Sequence, residues 1–282
     1  MDRLDSLLMQ SAPSTQVFYA GILCEASSVD AASGVGHLHV LHAGKLTIKR
    51  PLKEDLVIAQ PSLILFSRPQ SCTLIPGAID AKDLPSTSVV CAHVHFGQTM
   101  SATLAWAIPD VLVIPLDTSN HFRPALALMF EEAENECCGR KVALNHLMNY
   151  FLVLLLRHLM DSGEVKTGVL AALGDKRLSI AVTAMHDRPD RDWTLESLAE
   201  TAGMSRARFA SHFRAVTGTT PIDYLSLWRI ELTKNLLRQG RSLKAIAPKV
   251  GYGSAESLIR TFTRHTHTTP KEWARLQNSE QK

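Results

Sequence analysis

The sequence predicts an α+β chain. An N-terminal β-barrel or sandwich is followed by trailing helices and then by an all-α domain of two helix-turn-helix units. Three observations predict it. Short β-rich runs separated by Gly, Pro and Asp fill residues from about 15 to 100. The apolar period becomes helical from about Phe122. A segment after Trp193 repeats itself near the C-terminus.

The predicted strands are Val17–Cys24, His37–Leu41, Lys45–Lys49, Leu63–Phe66 and Val89–Phe96, with "HAGKL" and "PGAID" as turns. Strands this short and closely spaced close into a sandwich or barrel. Apolar residues at helical spacing then predict helices over Leu126–Cys137, Val142–Met160 and about Thr167–His186. The charged, Pro-containing stretch Asp187–Arg191 is the expected linker. The resulting division is residues 1–120, 121–186 and 187–282. The middle piece carries helices apolar enough to form a dimer seam or to pack on the barrel.

Composition narrows the class. Of 282 residues, 45% are hydrophobic and 20% charged, enough for a packed core in a water-soluble chain. The start, Met1-Asp2-Arg3-Leu4-Asp5, has no signal-peptide core. The apolar run Leu147–Leu159 is shorter than the ~20 residues a membrane span takes. Five cysteines, Cys24, Cys72, Cys91, Cys137 and Cys138, without a C-x-x-C pair argue against a secreted disulfide framework. A cytoplasmic protein with no membrane partner is expected. Charge is uneven. Arg188–Lys282 holds 16 Lys and Arg against 9 Asp and Glu, while the remainder holds 14 against 18. A basic end on a near-neutral body suits a polyanion.

The repeat is the most specific feature. Leu195, Ala199 and Gly203 recur 48 residues later as Leu243, Ala247 and Gly251. Phe213, Pro221 and Tyr224 recur 49 residues later as Phe262, Pro270 and Trp273, so the second copy has one extra residue in its turn. In each copy Thr194 or Ser242 caps a first helix, and Gly203 or Gly251 ends it. Ser205 or Ser254 caps a second helix, and Thr-Thr-Pro opens another. The connecting helix, Pro221–Gln239, stops at Gly240. Pro248 falls inside a first helix, where it removes a donor and kinks the backbone.

A helix-turn-helix unit lays its second helix in the major groove of DNA. With Phe209 and Phe213 turned inward, 100° per residue turns Ala207 and Ser211 outward, with Ala210 at the flank. With Leu258 and Phe262 inward, Glu256 and Arg260 face out, with Ile259 at the flank. These six are the candidate base-reading residues. Arg260 suits a guanine edge and Glu256 the cytosine amine. Arg206, Arg208, His212, Lys244 and Arg264 are the candidate phosphate contacts; solvated surface charge is the alternative for each.

The stretches "SLAETAGMSRARFASHFRAVTGTTPIDYL" and "IAPKVGYGSAESLIRTFTRHTHTTPKEWA" resemble the two halves of the DNA-binding domain of the AraC/XylS family of bacterial regulators. The resemblance covers about Asp192–Leu276, and the family's base-reading positions fall on the outward residues named above. The chain departs from the family pattern at Pro248 and at His267, where the family usually has Gly, so strain is expected in the turn before Thr268. The resemblance implies a transcription regulator that acts as an activator, binds double-stranded promoter DNA, engages RNA polymerase and forms a homodimer.

The N-terminal half offers two clusters. Histidines fill "GHLHVLHAGKL" (His37, His39, His42) and "CAHVHFG" (Cys91, His93, His95). Strand alternation puts His37 with His39 on one face, and Cys91 with His93 and His95 on another. His37, His39, Cys91, His93 and His95 are candidate ligands for a transition metal, the one cofactor considered. Solvent-facing or hydrogen-bonded histidines are the alternative. The G-x-H-x-H element resembles the metal motif of the cupin fold, without its Glu and second His ligands in evident places. The whole half, from "MDRLDSLLMQSAP" to "SVVCAHVHFG", resembles the cupin-type sensor of a branch of the same family that responds to reactive chlorine. That resemblance implies redox-sensing roles for Cys24 and Cys91, with His93 and His95 supplying a field that favours a Cys91 thiolate. Burial as inert thiols is the alternative. Cys137 and Cys138 are expected on a helix.

The expected function is a DNA-binding regulator, not an enzyme, that responds to an oxidant or small ligand at its N-terminal domain. A metal-dependent cupin enzyme with a DNA-binding tail is the rival, and it lacks a carboxylate within the His clusters. A non-specific nucleoid binder is the third reading; it would show no operator preference at matched salt.

Overall fold

The computed structural model describes residues 2–32, 35–77, 86–96, 108–116, 121–135 and 137–280. Contacts divide the chain into two compact units, Pro13–Ser162 and Met1–Ala12 with Gly163–Lys282. The sequence-based boundaries at 120 and 186 therefore differ from the observed division in three respects. The helices up to Ser162 fall in the same unit as the strands. The two helices after residue 163 pack with the C-terminal helices, and the N-terminal dozen residues join them.

The unit Pro13–Ser162 is an antiparallel sandwich. Its strands are β1 (Ser14–Ile22), β2 (Ser27–Val29), β3 (Val35–Ala43), β4 (Leu46–Lys49), β5 (Leu56–Ile58), β6 (Ser62–Phe66), β7 (Cys72–Pro76), β8 (Ser88–His95) and β9 (Val111–Pro115). One sheet runs β1-β8-β3-β6-β9, the other β2-β7-β4-β5. "HAGKL" thus passes the chain from one sheet to the other rather than closing a hairpin, while "PGAID" extends outside the described residues. Leu41, Ile64, Phe66, Val89 and Cys91 meet Leu46, Ile48, Cys72 and Leu74 between the sheets.

Helices α2 (Arg123–Glu134) and α3 (Arg140–Ser162) also belong to this unit. Cys137 and Cys138 lie in the turn before α3, not on a helix; Gly139, at φ 84, makes that turn. At 23 residues, α3 outruns its expected apolar stretch and is long and apolar enough to cross a membrane. Its apolar face, including Met148, Phe151, Leu152 and Leu155, is instead buried within the unit, where α3 packs on β1. Asn145 and Asn149 tie it there by accepting the Val17 and Thr15 backbone N–H groups at 2.7 and 2.8 Å.

The other unit is helical: α1 (Asp5–Ser11), α4 (Gly168–Gly174), α5 (Leu178–Asp187), α6 (Leu195–Thr201), α7 (Arg206–Thr217), α8 (Pro221–Arg238), α9 (Leu243–Ile246), α10 (Ala255–Thr266) and α11 (Pro270–Glu280). The single helix expected over Thr167–His186 is two. Asp175 breaks it by accepting the Arg177 and Leu178 N–H groups at 2.9 Å each, which caps α5. The expected linker is tied down. The Trp193 indole donates to the Arg188 carbonyl, and the Arg229 guanidinium donates to the Pro189 and Arg191 carbonyls. Leu4, at the start of α1, and Leu7 within it are buried in this unit, where Asn235 of α8 donates to the Gln10 carbonyl.

Candidate nucleic-acid interface and sensor residues

Each half of the repeat folds for local reasons. Thr194 and Ser197 form a reciprocal capping box that opens α6. In the second copy Ser242 accepts the Ala245 N–H to open α9. Pro248 has the effect its chemistry demands. The α-helix ends at Ile246, and a 3₁₀ turn, Ala247–Val250, takes over with Pro248 in its first turn, where the missing N–H costs little. Val250 and Ala247 stay buried, so the kink preserves the inward face.

Both copies then turn on glycine, at φ 61 for Gly203 and 80 for Gly251. A Cβ on Gly251 would lie 2.5 Å from both the Arg229 guanidinium and the Pro189 carbonyl. That position therefore requires glycine for space as well as for conformation. Ser254 caps α10 through the Ser257 N–H, whereas Ser205, expected to cap α7, makes no side-chain cap hydrogen bond. The α7 helix ends at Gly218 in the left-handed region, and His267 closes α10 in the same conformation, φ 58 and ψ 11. For a histidine this is strained.

The two second helices are held by phenylalanine. Phe209, Phe213, Leu258 and Phe262 are fully buried, each contributing about 1.5–3 kcal/mol. The opposite faces are open. Ala207 and Ser211 are exposed and Ala210 half-buried; Glu256 and Arg260 are exposed and Ile259 half-buried. Hydrogen bonds from its own backbone N–H and then from Ser254 hold the Glu256 carboxyl below the usual carboxylate range.

The candidate phosphate residues differ. Arg208, Lys244 and Arg264 are exposed. Arg206 pairs with Glu196 at 2.9 Å, but both are open to solvent, where such a pair holds weakly and exchanges easily. His212 is half-buried, and its Nε2 lies 2.8 Å from Asp175, which makes it a brace between α7 and the start of α5 more than a free phosphate ligand. Desolvation opposes charge on Asp175, but the Leu178 N–H, His212 and the Arg177 N–H outweigh it and lower its pKa. Sequence reasoning missed this brace, because Asp175 was placed inside a continuous helix.

In the sandwich, the register pairs His37 with His93 and His39 with Cys91. His37, His39 and Cys91 are fully buried, His93 is half-buried, and His95 is exposed at the strand end. Burial lowers His39 to about 3 and His37 to about 4, so neither ring carries charge at neutral pH. Burial also lowers His93 and raises the Cys91 thiol well above its ordinary value. The activated Cys91 thiolate expected from the sequence is therefore corrected: its neighbours are neutral and its surroundings apolar. Cys24 is exposed. Both thiols raise the pKa of Tyr19, whose largest perturbation is burial. Cys72 of β7 was on no expected strand, yet its thiol joins His37 and His39 with all three donor atoms within 4.8 Å of one another.

The chain matches two family models, one described as Cupin over residues 2–161 and one as Helix-turn-helix domain over residues 198–276. It is 34% identical over 67% of its length to an uncharacterized HTH-type transcriptional regulator of Haemophilus influenzae, covering 63% of that protein. It is 35% identical over 63% of its length to a putative AraC-like transcription regulator of Streptomyces lividans, covering 60% of that protein. The match thus spans less than two thirds of the length of these relatives. Against the RCS-specific HTH-type transcriptional activator RclR of Escherichia coli it is 28% identical, with 97% of both chains covered.

Proposed function

Because this chain belongs to the AraC-type regulators that join a cupin domain to a helix-turn-helix domain, we propose that it is a sequence-specific transcription regulator of the cytoplasm. It binds promoter DNA through α7 and α10. The observation that carries this is the pair of second helices, each fixed by buried aromatic residues and each presenting an open face. Ala207, Ala210 and Ser211 read one groove segment by shape and apolar contact; Glu256 and Arg260 read the next by hydrogen bonds, with Ile259 in apolar contact beside them. Arg206, Arg208, Lys244 and Arg264 position the duplex without specifying it.

As a homodimeric activator the protein engages RNA polymerase when its cupin domain is triggered. The trigger we infer is an oxidant of the reactive-chlorine class, in keeping with the name of the full-length relative. Of the pair Cys24 and Cys91, Cys24 then reacts first, because it is exposed, and the buried Cys91 follows only when the sandwich opens. The enzyme reading is less well supported, since the buried donor trio contains two imidazoles and a thiol but no carboxylate.

Genome-wide mapping of bound sites with and without hypochlorous acid tests both parts. A shared sequence motif with occupancy or transcription that changes on oxidation is expected. Binding without sequence preference would contradict the regulator reading, and a full oxidant response in Cys24→Ser would contradict the proposed trigger.

A further inference from the structure

We propose that the interior of the sandwich is a site for a zinc- or copper-class ion, with His37, His39 and Cys72 as its protein donors. Alternation along β3 turns His37 and His39 inward together with Leu41, and Cys72 reaches them from β7 of the opposite sheet. Their donor atoms lie within 4.8 Å of one another. A tetrahedral ion with bonds of about 2.0–2.3 Å holds its donors roughly 3.3–3.6 Å apart, so modest side-chain rotations close the shell.

An independent observation points to a ligand. Both ring nitrogens of His37 and both of His39 are buried and lack a hydrogen-bond partner among the described residues. Buried polar atoms are nearly always partnered, and each orphan costs about 1–3 kcal/mol. A bound ion takes one lone pair from each ring and removes part of that cost. Burial already keeps both imidazoles in the neutral form that binds metal. It also raises the Cys72 thiol to about 11, which a cation at bonding distance reverses. Two imidazoles and a thiolate suit zinc or copper and disfavour calcium, magnesium and manganese.

His93 completes the arrangement. Its ring centroid lies 5.3 Å from that of His37, and its buried Nδ1 also lacks a hydrogen-bond partner among the described residues. It lines a cleft of about 630 Å³ with Gln16, Phe18 and Lys141. His93 is thus placed to serve as fourth donor and as the point of entry from the cleft. The set differs from the one the sequence suggested. His95 is exposed at the strand end, Cys91 is left out, and Cys72 enters.

The test uses the full chain, reduced and freed of metal with a chelator, and titrated with Co²⁺. We expect one ion per chain, the strong visible absorption of four-coordinate cobalt and a thiolate-to-cobalt charge-transfer band, all bleached by Zn²⁺. Cys72→Ser should abolish the charge-transfer band, and His37→Gln or His39→Gln should weaken Zn²⁺ binding at least about tenfold. Cys24→Ser, Cys91→Ser and Cys137→Ser should keep the band. X-ray absorption on the wild-type zinc-loaded chain needs no variant, and should report one sulfur with two or three nitrogen donors. Substoichiometric uptake, a band that survives Cys72→Ser, or a zinc shell of nitrogen and oxygen alone would overturn the proposal.

Discussion

Replacing His267 by glycine should stabilise the helical unit, an unusual direction for a substitution within a helix-turn-helix unit. His267 closes α10 at φ 58 and ψ 11, and its N–H reaches the Thr263 carbonyl at 2.9 Å. A left-handed conformation costs a residue with a Cβ about 1–2 kcal/mol. Glycine removes that cost but gives back about 0.5–1 kcal/mol through its greater freedom in the unfolded chain. The His267 side chain is exposed, so its loss takes little packing with it. The net expectation is a gain of about 0.5–1 kcal/mol. The first copy supplies the control: Gly218 holds the equivalent place at φ 79, and a Cβ there meets nothing within 4 Å. Gly218→Ala should therefore lose about 1 kcal/mol from backbone conformation alone. Urea unfolding at constant m-value, followed by tryptophan fluorescence, measures both. A His267→Gly variant that is neutral or less stable, beside a neutral Gly218→Ala, would refute the strain argument.

Arg260→Ala should weaken binding to the selected operator by about 1–3 kcal/mol and relax preference at one base pair. Lys244→Ala should weaken all DNA alike and lower the slope of log K against log salt by about 1, as competition titrations at several salt concentrations would show. Gly251→Ala should cost at least about 2 kcal/mol by urea unfolding, since strain at φ 80 adds to overlap with Arg229 and Pro189, while Gly203→Ala, with open space around it, should cost about 1. Equal costs would remove the steric part. His186 stacks on Trp228 at 3.8 Å and shares a 2.7 Å hydrogen bond with the Tyr224 hydroxyl, and burial lowers it from 6.5 to about 3. The unfolded chain therefore takes up this proton first, and the stability that His186 contributes falls as pH drops from about 6.5 toward 3. The advantage of wild type over His186→Gln should shrink by roughly 2 kcal/mol between pH 7.5 and 5; a constant gap in urea midpoints would contradict this.

The helical unit was legible because its signals are local. Thr194, Ser242, Gly251 and the buried Phe209, Phe213, Leu258 and Phe262 each act within one or two turns. Pro248 and His267 also behaved as their own chemistry dictates. What escaped depends on distant partners. Nothing near Asp175 announces that it caps α5 and braces His212. Strands β2, β5, β7 and β9 have three to five residues and take their register from neighbours rather than from alternation. Cys72 went unnoticed as a donor for the same reason, since its neighbours come from the other sheet. The thiol chemistry of Cys91 was misread because spacing in sequence says nothing of desolvation.

The most direct test of the account is selection of a DNA site from a random pool by the full chain at physiological salt, followed by methylation-interference mapping of the selected duplex. Two helix-turn-helix faces on one chain predict two interfering major-groove segments on one side of the DNA, about 10 base pairs apart. Arg260→Ala should erase guanine interference in one segment only. A single segment insensitive to Arg260, or a pool that yields no shared sequence, would contradict it.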